Sequence, residues 1–327
     1  MGLCRARNGD EVVTKARYSY YPGCSLHGTG KAYDLSVKAV CHRLGIELAE
    51  LKDWNCCGAT SAHALEPWAA LALPGRNVAI AEQAGLDVAV PCAACYSREK
   101  ACERALQENQ QMKEKLEAEL HFSYTGRARF KHLVEVFVSD YGLENLREKI
   151  VRPLGNVKAV GYYGCLLVRP PDVTGFDDPE DPKTLDQVIQ VCGAQLATWY
   201  AKTDCCGGSL GLTRSDVVVR MVSRIMLQAL DAGADCIVVA CPLCQSNLES
   251  RQSASSKLLG KELNIPILYF TQLLGLAMGI SAKELGLNTH LISPAKIIKS
   301  MSAPAAVKPP EGPKAEAAKE EEEESDA

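Results

Sequence analysis

One cysteine pattern occurs twice in this 327-residue chain, so whatever fold it adopts must be built from two like units. Tyr20-Tyr21-Pro22-Gly23-Cys24 returns as Tyr162-Tyr163-Gly164-Cys165, and Asn55-Cys56-Cys57-Gly58 returns as Asp204-Cys205-Cys206-Gly207. Ala84-Gly85-Leu86-Asp87, running through apolar residues into Cys92-Ala93-Ala94-Cys95, returns as Ala232-Gly233-Ala234-Asp235 running into Cys241-Pro242-Leu243-Cys244. The intervals agree too. Residues 58–91 and 207–240, 34 in each case, separate the pair from Cys-x-x-Cys, while 31 and 39 residues (25–55 and 166–204) precede the pair. The extra length falls in Pro170 to Pro182, a Pro- and Asp-rich stretch that reads as a surface loop.

Within each unit the pattern alternates strand and helix. Leu86 to Val90 and Cys236 to Ala240 are short apolar runs, expected as buried strands that end at the Cys-x-x-Cys. Tyr33, Val37, Val40, Cys41 and Leu44 recur at helical spacing, as do Val218, Val222, Ile225, Met226 and Ala229. Such alternation predicts an α/β fold of two pseudo-symmetric domains, each a small, mostly parallel sheet flanked by helices. The cysteines would then lie at the C-terminal ends of strands. The expected layout is an N-terminal extension (1–17), a first domain (18–150) and a second domain (151–300), followed by a disordered acidic tail (301–327). Glu99 to Leu120 reads as one long connecting helix, with Cys102, Leu106, Met112, Leu116 and Leu120 as its buried stripe.

Each unit supplies five cysteines: Cys24, Cys56, Cys57, Cys92 and Cys95, then Cys165, Cys205, Cys206, Cys241 and Cys244. Fifteen cysteines in all, at repeated spacings, point to metal ligands or redox groups, and the odd total suits a fully paired disulfide framework poorly. Tetrahedral zinc takes four ligands and would leave one sulfur over in each unit. Adjacent side chains also diverge, so Cys56 with Cys57, and Cys205 with Cys206, reach one small ion with difficulty. A cluster of several irons offers neighbouring thiolates separate attachment points. Gly23, Gly58, Gly164, Gly207 and Gly208 would let the backbone approach such a bulky core.

These motifs resemble the cysteine-rich CCG family, and in particular the B subunits of heterodisulfide reductases. The resemblance runs from about Tyr18 to about Met278 and includes the segment from Asn264 to Leu274. It implies two non-cubane [4Fe-4S] clusters, one on each five-cysteine set. It further implies reductive cleavage of a small disulfide to two thiols at the clusters themselves, with no separate protein nucleophile. The chain has no closely spaced ferredoxin motif and no Gly-x-Gly-x-x-Gly, so electrons are expected from other polypeptides. By resemblance these are the ferredoxin-like and flavin-containing subunits of the same complex, joined in some cases to hydrogenase, formate or NADH modules. The alternatives are an electron relay within another oxidoreductase complex and a sulfur-oxidising complex running similar chemistry backwards. A zinc-bound scaffold is the rival outside enzymes.

Cys4, Cys41, Cys102, Cys192 and Cys236 stand outside the repeat and are expected to be structural or incidental thiols. His27 and His63 follow cysteines of the first unit only and are left out of the site. The net charge of −4 resides in the tail: residues 301–327 hold three Lys against seven Glu and one Asp, a sum of −5, which leaves +1 for residues 1–300. A nearly neutral body gives no case for nucleic-acid binding. No apolar run approaches the roughly 20 residues of a membrane span, and a cytoplasmic location is expected.

Overall fold

The computed structural model describes residues 16–59 and 62–300. Each unit is a four-stranded sheet in which every pairing is parallel. The first has the order β2-β1-β3-β4, from Arg17–Tyr20 (β1), Glu47–Glu50 (β2), Val88–Val90 (β3) and Phe130–His132 (β4). The second repeats that order as β6-β5-β7-β8, from Lys158–Tyr162 (β5), Gln195–Leu196 (β6), Cys236–Val239 (β7) and Ile267–Tyr269 (β8). The central strands β3 and β7 are buried throughout, as continuous apolar runs in a parallel sheet require.

The main helices are α1 (Lys31–Leu44), α2 (Ala69–Ala84), α3 (Ala93–Glu108), α4 (Gln110–Leu120), α5 (Thr184–Val191), α6 (Ser215–Asp231), α7 (Pro242–Ser250), α8 (Gln252–Leu259) and α9 (Phe270–Ala277). Both predicted stripes are buried, Tyr33 to Leu44 on α1 and Val218 to Ala229 on α6. The expected single helix from Glu99 to Leu120 is instead two. Asn109 adopts an extended conformation between α3 and α4, and its side chain accepts the Met112 amide at 3.0 Å, capping the second helix. A capping Asn satisfies an amide that an uninterrupted helix would have bonded along its own backbone, so the break costs little. Cys102, Leu106 and Leu116 are buried, while Met112 and Leu120 are only partly so.

The stretch Pro170 to Pro182 also differs from a plain surface loop. It contains a one-turn helix, Pro171–Thr174, whose Thr174 carbonyl accepts the Tyr96 hydroxyl at 2.8 Å. Phe176 packs edge-on to Tyr96 and His132. The eight residues that lengthen the second unit therefore belong to a strap lying against the first.

The C-terminal part of the second unit crosses over as well. Helix α9 packs on α1, with Ser36 Oγ and Thr271 Oγ1 2.6 Å apart, and a Cβ on Gly286 would lie 2.9 Å from the Ala32 backbone. The Glu-rich tail and Cys4 lie outside the described residues.

Candidate functional site

All ten repeated cysteines follow the C-terminal ends of strands: Cys24 after β1, Cys56 and Cys57 after β2, Cys92 and Cys95 after β3, with the same sequence after β5, β6 and β7. In the order 2-1-3-4, successive strands run to opposite sides of β1 and β3. A crevice opens where that direction switches, and Cys24 and Cys92 enter it from its two sides.

Within the first set, Cys56 Sγ lies 3.9 Å from Cys24 Sγ and Cys57 Sγ lies 3.4 Å from Cys95 Sγ. In the second, Cys206 Sγ lies 3.6 Å from Cys244 Sγ, and Cys205 pairs with Cys165. The two sets also come together, since the thiols of Cys92 and Cys241 act on each other across the boundary between units. Among the described residues no three His, Cys, Asp or Glu side chains are disposed around a single-ion site.

The turn after each Cys-Cys pair is built alike. Gly207 N–H donates to Cys205 Sγ at 3.3 Å, and Gly58 N–H bonds Cys56 in the same way. Tyr21 Oη donates to the Asn55 carbonyl at 2.8 Å and Tyr162 Oη to the Asp204 carbonyl at 2.5 Å, pinning the residue before each pair. Gly23 and Gly164 both have φ of +67°, and a Cβ there would lie 2.9 Å from Cys95 Sγ and 3.1 Å from Cys244 Sγ respectively. These glycines leave the thiols the space that any side chain would take. Gly58 and Gly207 also take positive φ, whereas Gly208 does not.

Hydrogen bonds from Cys56 and Cys95 pull the Cys57 thiol down to about 3, and a bond from Cys165 pulls Cys205 down to about 6. Their partners move the other way, with Cys56 and Cys165 pushed up. A proton shared unevenly among crowded sulfurs is what a set of thiols does before a cation replaces the protons. Among the described residues, the buried Tyr33 Oη and Glu99 Oε2 beside the sets have no hydrogen-bond partner. Five soft donors in each set, the space kept open by glycine and these unpaired atoms together suit a bulky sulfur-ligated group.

A cleft borders all five cysteines of the second set and reaches the first unit at residues beside its cysteines. Ala59, Ala93 and Ala94 line its first side, and Cys165, Cys205 and Leu243 are among those lining its second. A larger hollow beside β6, around Asp181, Tyr200 and Lys202, contains none of the ten cysteines.

Sequence reasoning missed the residues that join the sets. His132 is wholly buried, and its Nδ1 accepts the Val134 amide, which places the ring proton on Nε2. That atom lies 3.2 Å from the Pro91 carbonyl and 3.1 Å from the Ala240 carbonyl, the residues immediately before Cys92 and Cys241. Tyr33 and Tyr269 stack between the units, close enough to Cys92 and Cys241 to feel their charge. Nothing in the repeat marks these three residues, because they come from outside the cysteine motifs.

Of the cysteines outside the repeat, Cys41, Cys102, Cys192 and Cys236 are buried. Burial raises all four thiols, Cys236 to about 12. His27 is half exposed and pairs with Glu50 at 3.1 Å beside Trp54, outside both sets. The side chain of His63 lies outside the described residues.

Two sheets of identical order, each carrying five cysteines after its strand ends, define a duplicated cysteine-rich α/β protein. The chain belongs to the cysteine-rich domain (CCG) family, which matches residues 18–98 and 159–249. A Wolinella succinogenes protein named 8-methylmenaquinol:fumarate reductase membrane anchor subunit is 33% identical over 86% of this chain and 98% of its own. The B subunit of the ferredoxin:CoB-CoM heterodisulfide reductase of Methanosarcina mazei is 29% identical over 84% of this chain and 94% of its own. A crystal structure of a hypothetical protein from Helicobacter pylori superposes with a TM-score of 0.66 at 14% identity, which bears on the fold alone. It aligns with 86% of this chain and about half, 52%, of that longer one. No helix among the described residues is long and apolar enough to cross a membrane.

Proposed function

We propose that this chain is the catalytic iron–sulfur subunit of a heterodisulfide reductase-like complex, cleaving a small disulfide reductively to two thiols. The observation that carries this reading is the meeting of two equivalent five-cysteine sets at Cys92 and Cys241. A substrate with two similar halves is matched by two similar sites facing each other. In this reading Cys24, Cys56, Cys57, Cys92 and Cys95 hold one non-cubane [4Fe-4S] cluster, and Cys165, Cys205, Cys206, Cys241 and Cys244 hold the other. Such clusters, when bound, supply single electrons and Lewis-acidic iron for a departing thiolate.

The chain's own residues orient and shield. Tyr21 and Tyr162 fix the Cys-Cys turns, His132 fixes the separation of the two sets, and Ala93, Ala94 and Leu243 give the cleft apolar walls. The reaction consumes two electrons and two protons and yields two thiols. The electrons come from partner polypeptides of the complex, one ferredoxin-like and one flavin-containing, in the cytoplasm.

A second reading, an electron relay in a different oxidoreductase, is favoured by the 33% identity to the fumarate reductase subunit. One measurement tests the cluster assignment and a second separates the readings. Anaerobically purified protein should contain close to eight irons per chain with negligible zinc, and four irons or stoichiometric zinc would overturn the two-cluster assignment. Given a reduced artificial donor and a panel of small disulfides, the protein should release thiols, and Cys95→Ser and Cys244→Ser should abolish that release. Reducible clusters without thiol release from any disulfide would establish the relay.

A further inference from the structure

The ten cysteines repeat faithfully, but the residues behind them do not. Anchoring Ala84-Gly85 on Ala232-Gly233 at the ends of α2 and α6 places Asn77 opposite Ile225. Counting four residues beyond each Cys-x-x-Cys places Glu99 opposite Leu248. All four side chains are essentially inaccessible to solvent. The first unit thus buries an amide and a carboxyl at positions where the second buries two aliphatic groups.

The polar pair is tied directly to the first cysteine set. Asn77 Nδ2 donates to Glu99 Oε1 at 2.9 Å and to the Asn55 carbonyl at 3.0 Å, while Asn77 Oδ1 accepts the Asn55 amide at 3.0 Å. Asn55 immediately precedes Cys56, and its carbonyl also accepts Tyr21 Oη. The second unit keeps the tyrosine bond, Tyr162 to Asp204, but its amide comes from a different position, Asn247, which donates to the Cys206 carbonyl, and among the described residues no carboxyl is hydrogen-bonded behind it. Glu99 Oε2 has no hydrogen-bond partner among the described residues, and burial followed by the neighbouring Cys57 raises its proton affinity. A carboxyl in an apolar interior interacts with a nearby charge far more strongly than one in water. Hydrogen bonds and burial around cluster sulfurs are among the main determinants of cluster potential.

We infer that the Asn77–Glu99 pair makes the two cysteine sites electronically inequivalent, so that the groups they hold accept electrons at different potentials. Asn77 and Glu99 are positioning residues acting through the Asn55–Cys57 turn. For a disulfide cleaved one electron at a time, inequivalent sites impose an order: one site is reduced first and one half of the substrate is bound first. The inference rests on the iron–sulfur reading proposed above.

The test is a redox titration of the full chain, anaerobically purified and followed by electron paramagnetic resonance, with iron counted in every sample. The unaltered chain should show two transitions at separate potentials. Glu99→Gln keeps the shape and removes the acid, whereas Asn77→Leu copies the aliphatic character of the second unit, so the two variants fail for different reasons if either fails to fold. Both should shift the same one of the two transitions, in potential and in signal shape, and leave the other in place at unchanged iron content. Equal potentials in the unaltered chain overturn the inference, as do variants that move both transitions alike or neither. An unaltered chain without bound iron overturns the iron–sulfur reading together with this one, whereas eight irons with unmoved potentials overturns this one alone.

Discussion

The rings of Tyr33 and Tyr269 stack face to face across the boundary between units, their centroids 4.0 Å apart and their planes within 6°. Both are fully buried beside the meeting point of the two cysteine sets. Replacing either ring by alanine leaves a cavity where the units join and should cost about 3–5 kcal/mol. A double-mutant cycle in denaturant should assign about 0.5–1.5 kcal/mol of that to the stack itself. Additive single effects would show that the two rings are buried independently.

His132 offers a test by pH. Burial lowers its pKa from 6.5 to about 4, so the folded chain holds it neutral while the unfolded chain takes up a proton more readily. Its contribution is therefore complete above about pH 6.5 and is lost as the pH falls toward 4. The full shift corresponds to roughly 3 kcal/mol. His132→Gln should flatten this part of the stability profile, measured as the difference between variant and parent denaturation midpoints from pH 7.5 to 4. His132→Leu, which removes the donor facing the Pro91 and Ala240 carbonyls, should also lower stability at pH 7.5 by about 1–3 kcal/mol.

Gly23 and Gly164 should each govern their own set. A methyl group at Gly23 would press on Cys95 Sγ and one at Gly164 on Cys244 Sγ, and each residue would also be forced into a left-handed conformation costing roughly 1–2 kcal/mol. Gly23→Ala and Gly164→Ala are expected to lower bound iron by about half each, and the double variant to abolish it. Iron analysis beside circular dichroism separates a lost site from a lost fold.

Alkylation of the metal-free, folded chain should divide the thiols. Cys24, Cys56 and Cys205 are exposed and should be labelled first, while Cys41, Cys102, Cys192 and Cys236 stay unmodified until the chain unfolds. Peptide mass spectrometry before and after denaturant reads both classes. Rapid native labelling of Cys41 or Cys192 would contradict their burial.

Much of the architecture was legible because strand period, helix period and motif spacing are local properties of a sequence, and each was written twice. The runs into Cys92 and Cys241, the stripes on α1 and α6, and the ten-cysteine pattern follow from neighbours a few residues apart. Local signals also set the errors. Charge and stripe alone continued one helix through Asn109, and Pro-Asp composition alone made a loop of the segment that carries Thr174 and Phe176 onto Tyr96.

What the sequence determined by itself is the inventory of candidate ligands: two ordered sets of five sulfurs, each on loops that follow strands. What only the tertiary structure decided is how those sets are joined and how they differ. His132 bridges Pro91 to Ala240, 108 residues from the latter, Tyr33 finds Tyr269, and Asn77 reaches Glu99 behind one set alone. Such contacts depend on how two sheets pack, and packing is settled by burial and shape over the whole molecule rather than by any periodicity along the chain.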